Sequence, residues 1–175
     1  MDKLATRHTI DMTAIHQALA PLVGLPFRRI GRATNLLWLQ FGELHEVSDR
    51  RGGMKVVGDW AVHVQCPWRF VQHGKILVGY HDFYYTPDGD TPEDWDVVGK
   101  TRFDSAASTI CAEFAKTPPV VVSVQVDDVG GFSVHLSSEF RLDVFPDESD
   151  DTSEHWRIFQ PSVDSEHFVF HETVA

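Results

Sequence analysis

Cysteine is scarce: Cys66 and Cys111 are the two in 175 residues. That is too few for a disulfide scaffold, and neither belongs to a CxxC pair that would hold zinc or exchange disulfides. Long apolar runs are missing as well. Stretches such as Val120 to Val122 fall far short of the roughly 18 residues a membrane helix requires, and the opening MDKLATRHTI has no signal-peptide core. A reducing, cytoplasmic setting is expected. There is no GxSxG, no Walker loop and no GxGxxG after a strand, so neither a nucleophile elbow nor a phosphate cradle is announced.

Positive charge is the other shortage. Lys and Arg number 15 against 26 Asp and Glu, a net −11. The imbalance is uneven: residues 1–60 carry eight basic and six acidic side chains, whereas residues 61–175 carry seven and twenty. Such a surface repels nucleic acid phosphates. The one basic cluster, Arg28, Arg29, Arg32, Arg50, Arg51 and Lys55, has no interleaved aromatics and reads as a solvated face. No nucleic acid and no membrane is expected as a partner.

What remains is ordinary for one globular domain over residues 1–175: 42% hydrophobic and 23% charged, enough to bury a core without staples. DMTAIHQALA reads as a short helix, with Met12, Ile15 and Leu19 at helical spacing, Asp11 as cap and Pro21 as stop. From Pro26 the period changes to two. Leu37, Leu39 and Phe41 share one face of a strand; Gly42–Glu43 reads as a turn before a second strand over Leu44 to Val47. Val62, Val64 and Cys66 share the face opposite Ala61, His63 and Gln65. A hairpin turns at His73–Gly74, and in TRFDSAASTICAEFAK the apolar spacing, a Thr101–Asp104 capping box and Pro118–Pro119 define a second helix. VVVSVQV, FSVHL, FRLDVF, HWRIF and HFVFH complete the strands. The fold class is α+β: two helix-plus-antiparallel-meander units with 2 helices and about 8–9 strands.

The two units run in parallel along the chain. Ile15 and Leu19 precede Ile110 and Phe114 by 95 positions, as Leu37, Leu39 and Phe41 precede Phe132, Val134 and Leu136; WRF at Trp68 answers WRIF at Trp156. A pseudo-duplication with halves 11–83 and 101–171, joined by the acidic loop 86–100, fits this layout.

Three sets of residues bear on chemistry. Cys66 lies three residues from His63, which puts their side chains on opposite faces of a strand, so a packing role is expected, with Cys111 on the apolar stripe of its helix. His167 and His171 share a side but lack a third ligand, and DGDTPEDWD lacks the glycine and terminal Glu of a calcium loop, so no metal and no cofactor is expected. The loop TPDGDTPEDWDVVGK is the distinctive feature. It is longer than the usual four to six residues and sets Trp95 among Asp88, Asp90, Glu93, Asp94 and Asp96, an aromatic anchor ringed by charge of the kind protein partners use.

LLWLQFGELHEV, WAVHVQCPWRF and DVFPDESDDTSEHWRIF together resemble a family of bacterial proteins, chiefly actinobacterial, in which a CPWR strand precedes a DVFPD…EHWR stretch. The likeness runs from about Leu36 to Phe159. It implies a cytoplasmic bacterial setting and a compact domain, and it carries over no catalytic residues. The leading expectation is a non-catalytic binding protein for a basic protein partner, similar in class to acidic immunity proteins. The alternatives are a small-molecule binder or enzyme with a pocket near Cys66 and the histidines, and an oligomer built on a strand edge.

Overall fold

The clearest periodic stretch forms α2, Arg102–Phe114. Its first turn is closed reciprocally: the Thr101 hydroxyl accepts from the Asp104 N–H, and the Asp104 carboxylate accepts from the Thr101 N–H, satisfying two donors that a helix start leaves open. Phe103, Ala107, Ile110 and Phe114 form its buried stripe. The computed structural model describes residues 10–49, 52–149 and 152–171. A second helix, α1, spans Met12–Leu19 under an Asp11 cap.

Among the described residues ten strands accompany the helices. They are β1 (Phe27–Ala33), β2 (Leu36–Ser48), β3 (Met54–Val64), β4 (Trp68–Gln72), β5 (Lys75–Gly79), β6 (Val121–Val126), β7 (Phe132–Leu136), β8 (Phe140–Val144), β9 (Glu154–Phe159) and β10 (Phe168–His171). The class is α+β, with a strand more than expected. Three local readings change. Cys66 does not continue the strand of Val62 and Val64: β3 ends at Val64, and Cys66 falls in the bend before β4. FRRIGRA is a strand, β1, despite its three arginines. Gly42–Glu43 is no turn but a bulge inside one continuous β2, where the pairing with β3 slips between Phe41 and Leu44 and Gly42 takes φ +84°.

Each strand pairs antiparallel within one of two five-stranded sheets, ordered β1-β2-β3-β9-β10 and β5-β4-β8-β7-β6. Advancing every strand of the first sheet by five gives the second. The chain therefore has an internal two-fold layout, but neither half is a self-contained meander: each lends its last two strands to the sheet founded by the other. Equivalent pairs mark the exchange, with Val64 facing Leu37 and Trp156 as Val144 faces Phe132 and Trp68.

The crossing segments bond to one another. Gln65 and Cys66 donate their N–H groups to the His155 carbonyl at 2.8 and 3.3 Å, and Phe145 donates to the Pro67 carbonyl at 2.8 Å. Between the sheets lie Phe27, Phe41, Phe70, Phe114 and Phe140, with ring centroids 5.5 Å apart for Phe27–Phe114 and 5.6 Å for Phe70–Phe140. Each such ring stabilises the fold by about 1.5–3 kcal/mol through burial alone.

The two halves differ in their connections, most of all in what joins the second strand of each sheet to the third. Where β7 and β8 are joined by the short turn Ser137–Glu139, β2 and β3 continue past the sheet as a two-stranded arm pairing Leu44–Ser48 with Met54–Gly58.

Candidate functional site

Loop 86–100 is held at its end by a buried ion pair. Arg32, on β1, donates from Nε and Nη2 to both carboxylate oxygens of Asp104 at 2.8 and 2.7 Å, from Nη2 to the Val97 carbonyl at 2.9 Å and from Nη1 to the Thr34 carbonyl at 3.0 Å. Both side chains are nearly sealed from water, 1% and 6% exposed. Asp104 also accepts from the Lys100 and Thr101 N–H groups at 3.0 and 3.1 Å. Burial opposes its ionisation, but Arg32 and Thr101 outweigh it and hold the carboxyl at about 2. A first-turn helix residue thus locks the loop, the helix cap and an edge strand together.

On that base the loop displays its charge. Asp88, Asp90, Glu93, Asp94 and Asp96 are exposed. Asp94 lies 3.4 Å from the Lys100 ammonium; Asp88, Asp90, Glu93 and Asp96 have no cation partner among the described residues. Trp95 is half-buried, its ring 4.9 Å from that of Tyr84. The indole therefore leans on its own domain and leaves part of its face outward. The near end of the loop is tied down by Arg102, whose Nε donates to the Thr86 carbonyl at 3.1 Å while its guanidinium stacks over Tyr85 at 5.5 Å.

Beside the loop runs a groove of about 480 Å³ between α2 and the β4–β5 hairpin. Ser105, Ala106, Thr109, Ile110 and Glu113 form the helical wall, Leu77 of β5 the opposite wall, and Pro87 of the loop closes one end with Arg102. Sequence periodicity does not reveal it, because Leu77 and Ile110 lie on separate elements that meet only in three dimensions. The signal available was the pair of consecutive apolar residues Ile76 and Leu77 on a strand whose alternation demands only one inside.

The thiols are placed as packing atoms. Cys66 sits in the crossing between sheets, 4% exposed, and burial pushes its thiol up to about 12. Cys111 is half-buried rather than fully enclosed, and its S–H donates to the Ile30 carbonyl at 3.3 Å.

The histidines do not converge on a ligand. His63 stands edge-on to Phe159 at 4.8 Å, and His167 stacks on the same ring at 4.2 Å. Burial first, then the nearby Arg157 guanidinium, lowers His63 to about 4. No group of three or more His, Cys, Asp or Glu with metal-holding geometry occurs among the described residues. The internal two-fold equates His63 with Asp143 on the other sheet, a buried carboxylate accepting from Arg69, Arg141 and Ser133 at 2.7 Å each. One position thus carries a neutral imidazole in one sheet and a neutralised carboxylate in the other.

The basic cluster is dispersed. Arg32 is consumed by Asp104, Arg28 pairs with Glu43 at 2.8 Å, Arg29 lies over Trp38 at 5.7 Å, and Arg50 and Arg51 fall outside the described residues. No helix is long and apolar enough to cross a membrane among the described residues. No family model, no curated protein and no solved structure matches the chain.

Proposed function

We propose that this chain is a non-catalytic binding protein that captures a basic protein partner through loop 86–100, in the manner of acidic immunity-type proteins acting in a bacterial cytoplasm. The observation that carries the reading is the contrast between the loop's base and its surface. The base is fixed by the buried Arg32–Asp104 pair, while Asp88, Asp90, Glu93 and Asp96 are exposed with no cation partner among the described residues. Four uncompensated carboxylates on one anchored segment repel each other in the free protein and are relieved by a cationic surface, so their field speeds encounter and selects positive partners. Trp95 supplies an aromatic surface beside them, and its contact with Tyr84 pre-orders the ring and lowers the entropic cost of docking.

The Cys66 thiol fits this reading. A thiol at about 12 holds about one part in 10⁵ as thiolate at neutral pH, far too little for a nucleophile.

The test is capture on immobilised protein from lysate of the source cell, at low and at raised salt. Wild type is expected to retain a basic protein that Asp88→Asn/Asp90→Asn/Glu93→Gln/Asp96→Asn does not. Equal retention by both, or retention that salt leaves unchanged, contradicts the proposal.

A further inference from the structure

We infer that the partner is engaged through an extended segment that adds to the open edge of β5, places an apolar side chain in the groove against α2, and turns flanking Lys or Arg toward the loop; this rests on the acidic-loop reading above.

Three observations converge on it. β5 is an edge strand: among the described residues it pairs with β4 on one side and with no strand on the other. An open edge presents a row of unpaired N–H and C=O groups, a ready template for another strand. Natural edges are commonly blunted by charge or proline; β5, KILVG, has a single charge, Lys75 at its start, and exposes Ile76 by 63% and Leu77 by 41%. Strand addition uses the backbone for affinity and alternate side chains for specificity.

The groove supplies the specificity. Leu77, Ala106 and Ile110 give it apolar walls, and at about 480 Å³ it accommodates a side chain of Val or Leu size with its neighbours. Its charges favour a cationic strand. Arg102 is already engaged with the Thr86 carbonyl and, at 3.8 Å, with Asp82. Among the described residues, Glu113 at the far end of the helical wall has no cation partner, and neither do Asp88 and Asp90, just beyond the groove residue Pro87. An extended chain alternating apolar and basic residues therefore meets apolar surface and carboxylates in the same order.

The experiment uses the full chain, labelled for amide hydrogen exchange and NMR, with a short capped peptide alternating Val and Lys as the probe. Two control peptides accompany it, one alternating Val and Glu and one with Val–Lys sequence but N-methylated at alternate positions, which cannot pair along a strand. The inference predicts slower exchange in Lys75–Gly79 on adding the Val–Lys peptide and loss of binding by both controls. Leu77→Glu, at a position exposed enough to leave the fold intact, is expected to weaken binding by about tenfold or more. Shifts confined to residues 86–100, with no protection of β5 and equal binding of the N-methylated peptide, overturn strand addition and leave the loop reading standing. Equal binding of the Val–Glu peptide, or no response from either element, overturns both.

Discussion

Pro26 faces Val120 across an isolated antiparallel bridge, and the hydrogen bonds on either side are mirror counterparts: Phe27 N–H to the Pro119 carbonyl at 2.8 Å, Val121 N–H to the Leu25 carbonyl at 2.9 Å. The two founding edge strands, β1 and β6, thus begin against each other on the internal two-fold. From there each half builds three strands of its own sheet and then crosses to finish the other. The acidic loop is the connection between halves, so no strand pairing depends on its continuity.

That arrangement predicts the fate of a nicked chain. Limited proteolysis within the exposed part of the loop, at residues 88–96, should leave both fragments bound to each other with unchanged far-UV circular dichroism. Neither fragment alone should give the native spectrum, because each lacks two strands of the sheet it founds. Fragments that separate on size exclusion and stay folded would contradict the exchange.

The Arg32–Asp104 pair should be costly to break from one side. Arg32→Met leaves a buried carboxylate without its cation and should destabilise by about 3–5 kcal/mol. Arg32→Met/Asp104→Asn should recover part of that loss. Chemical denaturation of the three proteins checks it, and the loop should lose protection from amide exchange first, since the Val97 carbonyl loses its donor.

Histidine 63 should make stability depend on pH. Its folded value, about 4, is lower than the ordinary 6.5, so the unfolded chain takes up the proton first. Stability is then full above about pH 6.5 and falls as pH drops toward 4, by on the order of 2–3 kcal/mol. His63→Leu should flatten that stretch of the curve in urea melts. Asp104, held at about 2, contributes stability that is lost only as pH falls from about 4 toward 2.

The two thiols should separate kinetically. In native protein near neutral pH, Cys111 should react with a thiol reagent well before Cys66, whose modification should track global unfolding. Peptide mapping after partial labelling distinguishes them. Prompt labelling of Cys66 would mean an opening at the crossing between sheets.

How much of this was legible in the sequence depends on the range of the interaction. α2 and its cap were, because helical spacing and the Thr101–Asp104 box are local. Most strands were, because alternation is local too. β1 is not: Arg28, Arg29 and Arg32 hide its alternation, and only the structure shows Arg32 turned inward to a carboxylate 72 residues away. The Gly42 bulge looks like a turn in sequence, since a glycine at positive φ serves both. Matching the halves at 95 positions found equivalent elements but not the exchange, because side-chain period reveals a strand without naming its neighbour. In the candidate site the carboxylates were visible as composition. The Tyr84 contact of Trp95 and the groove beside β5 were not, since each joins elements far apart along the chain.

The most direct test of the central claim is the association rate with the captured partner, measured at two ionic strengths for wild type and for the Asp88→Asn/Asp90→Asn/Glu93→Gln/Asp96→Asn variant. Electrostatic capture predicts a wild-type rate that falls steeply with salt and, at low salt, a variant slower by about tenfold or more. Rates that coincide for the two proteins and ignore ionic strength would contradict it.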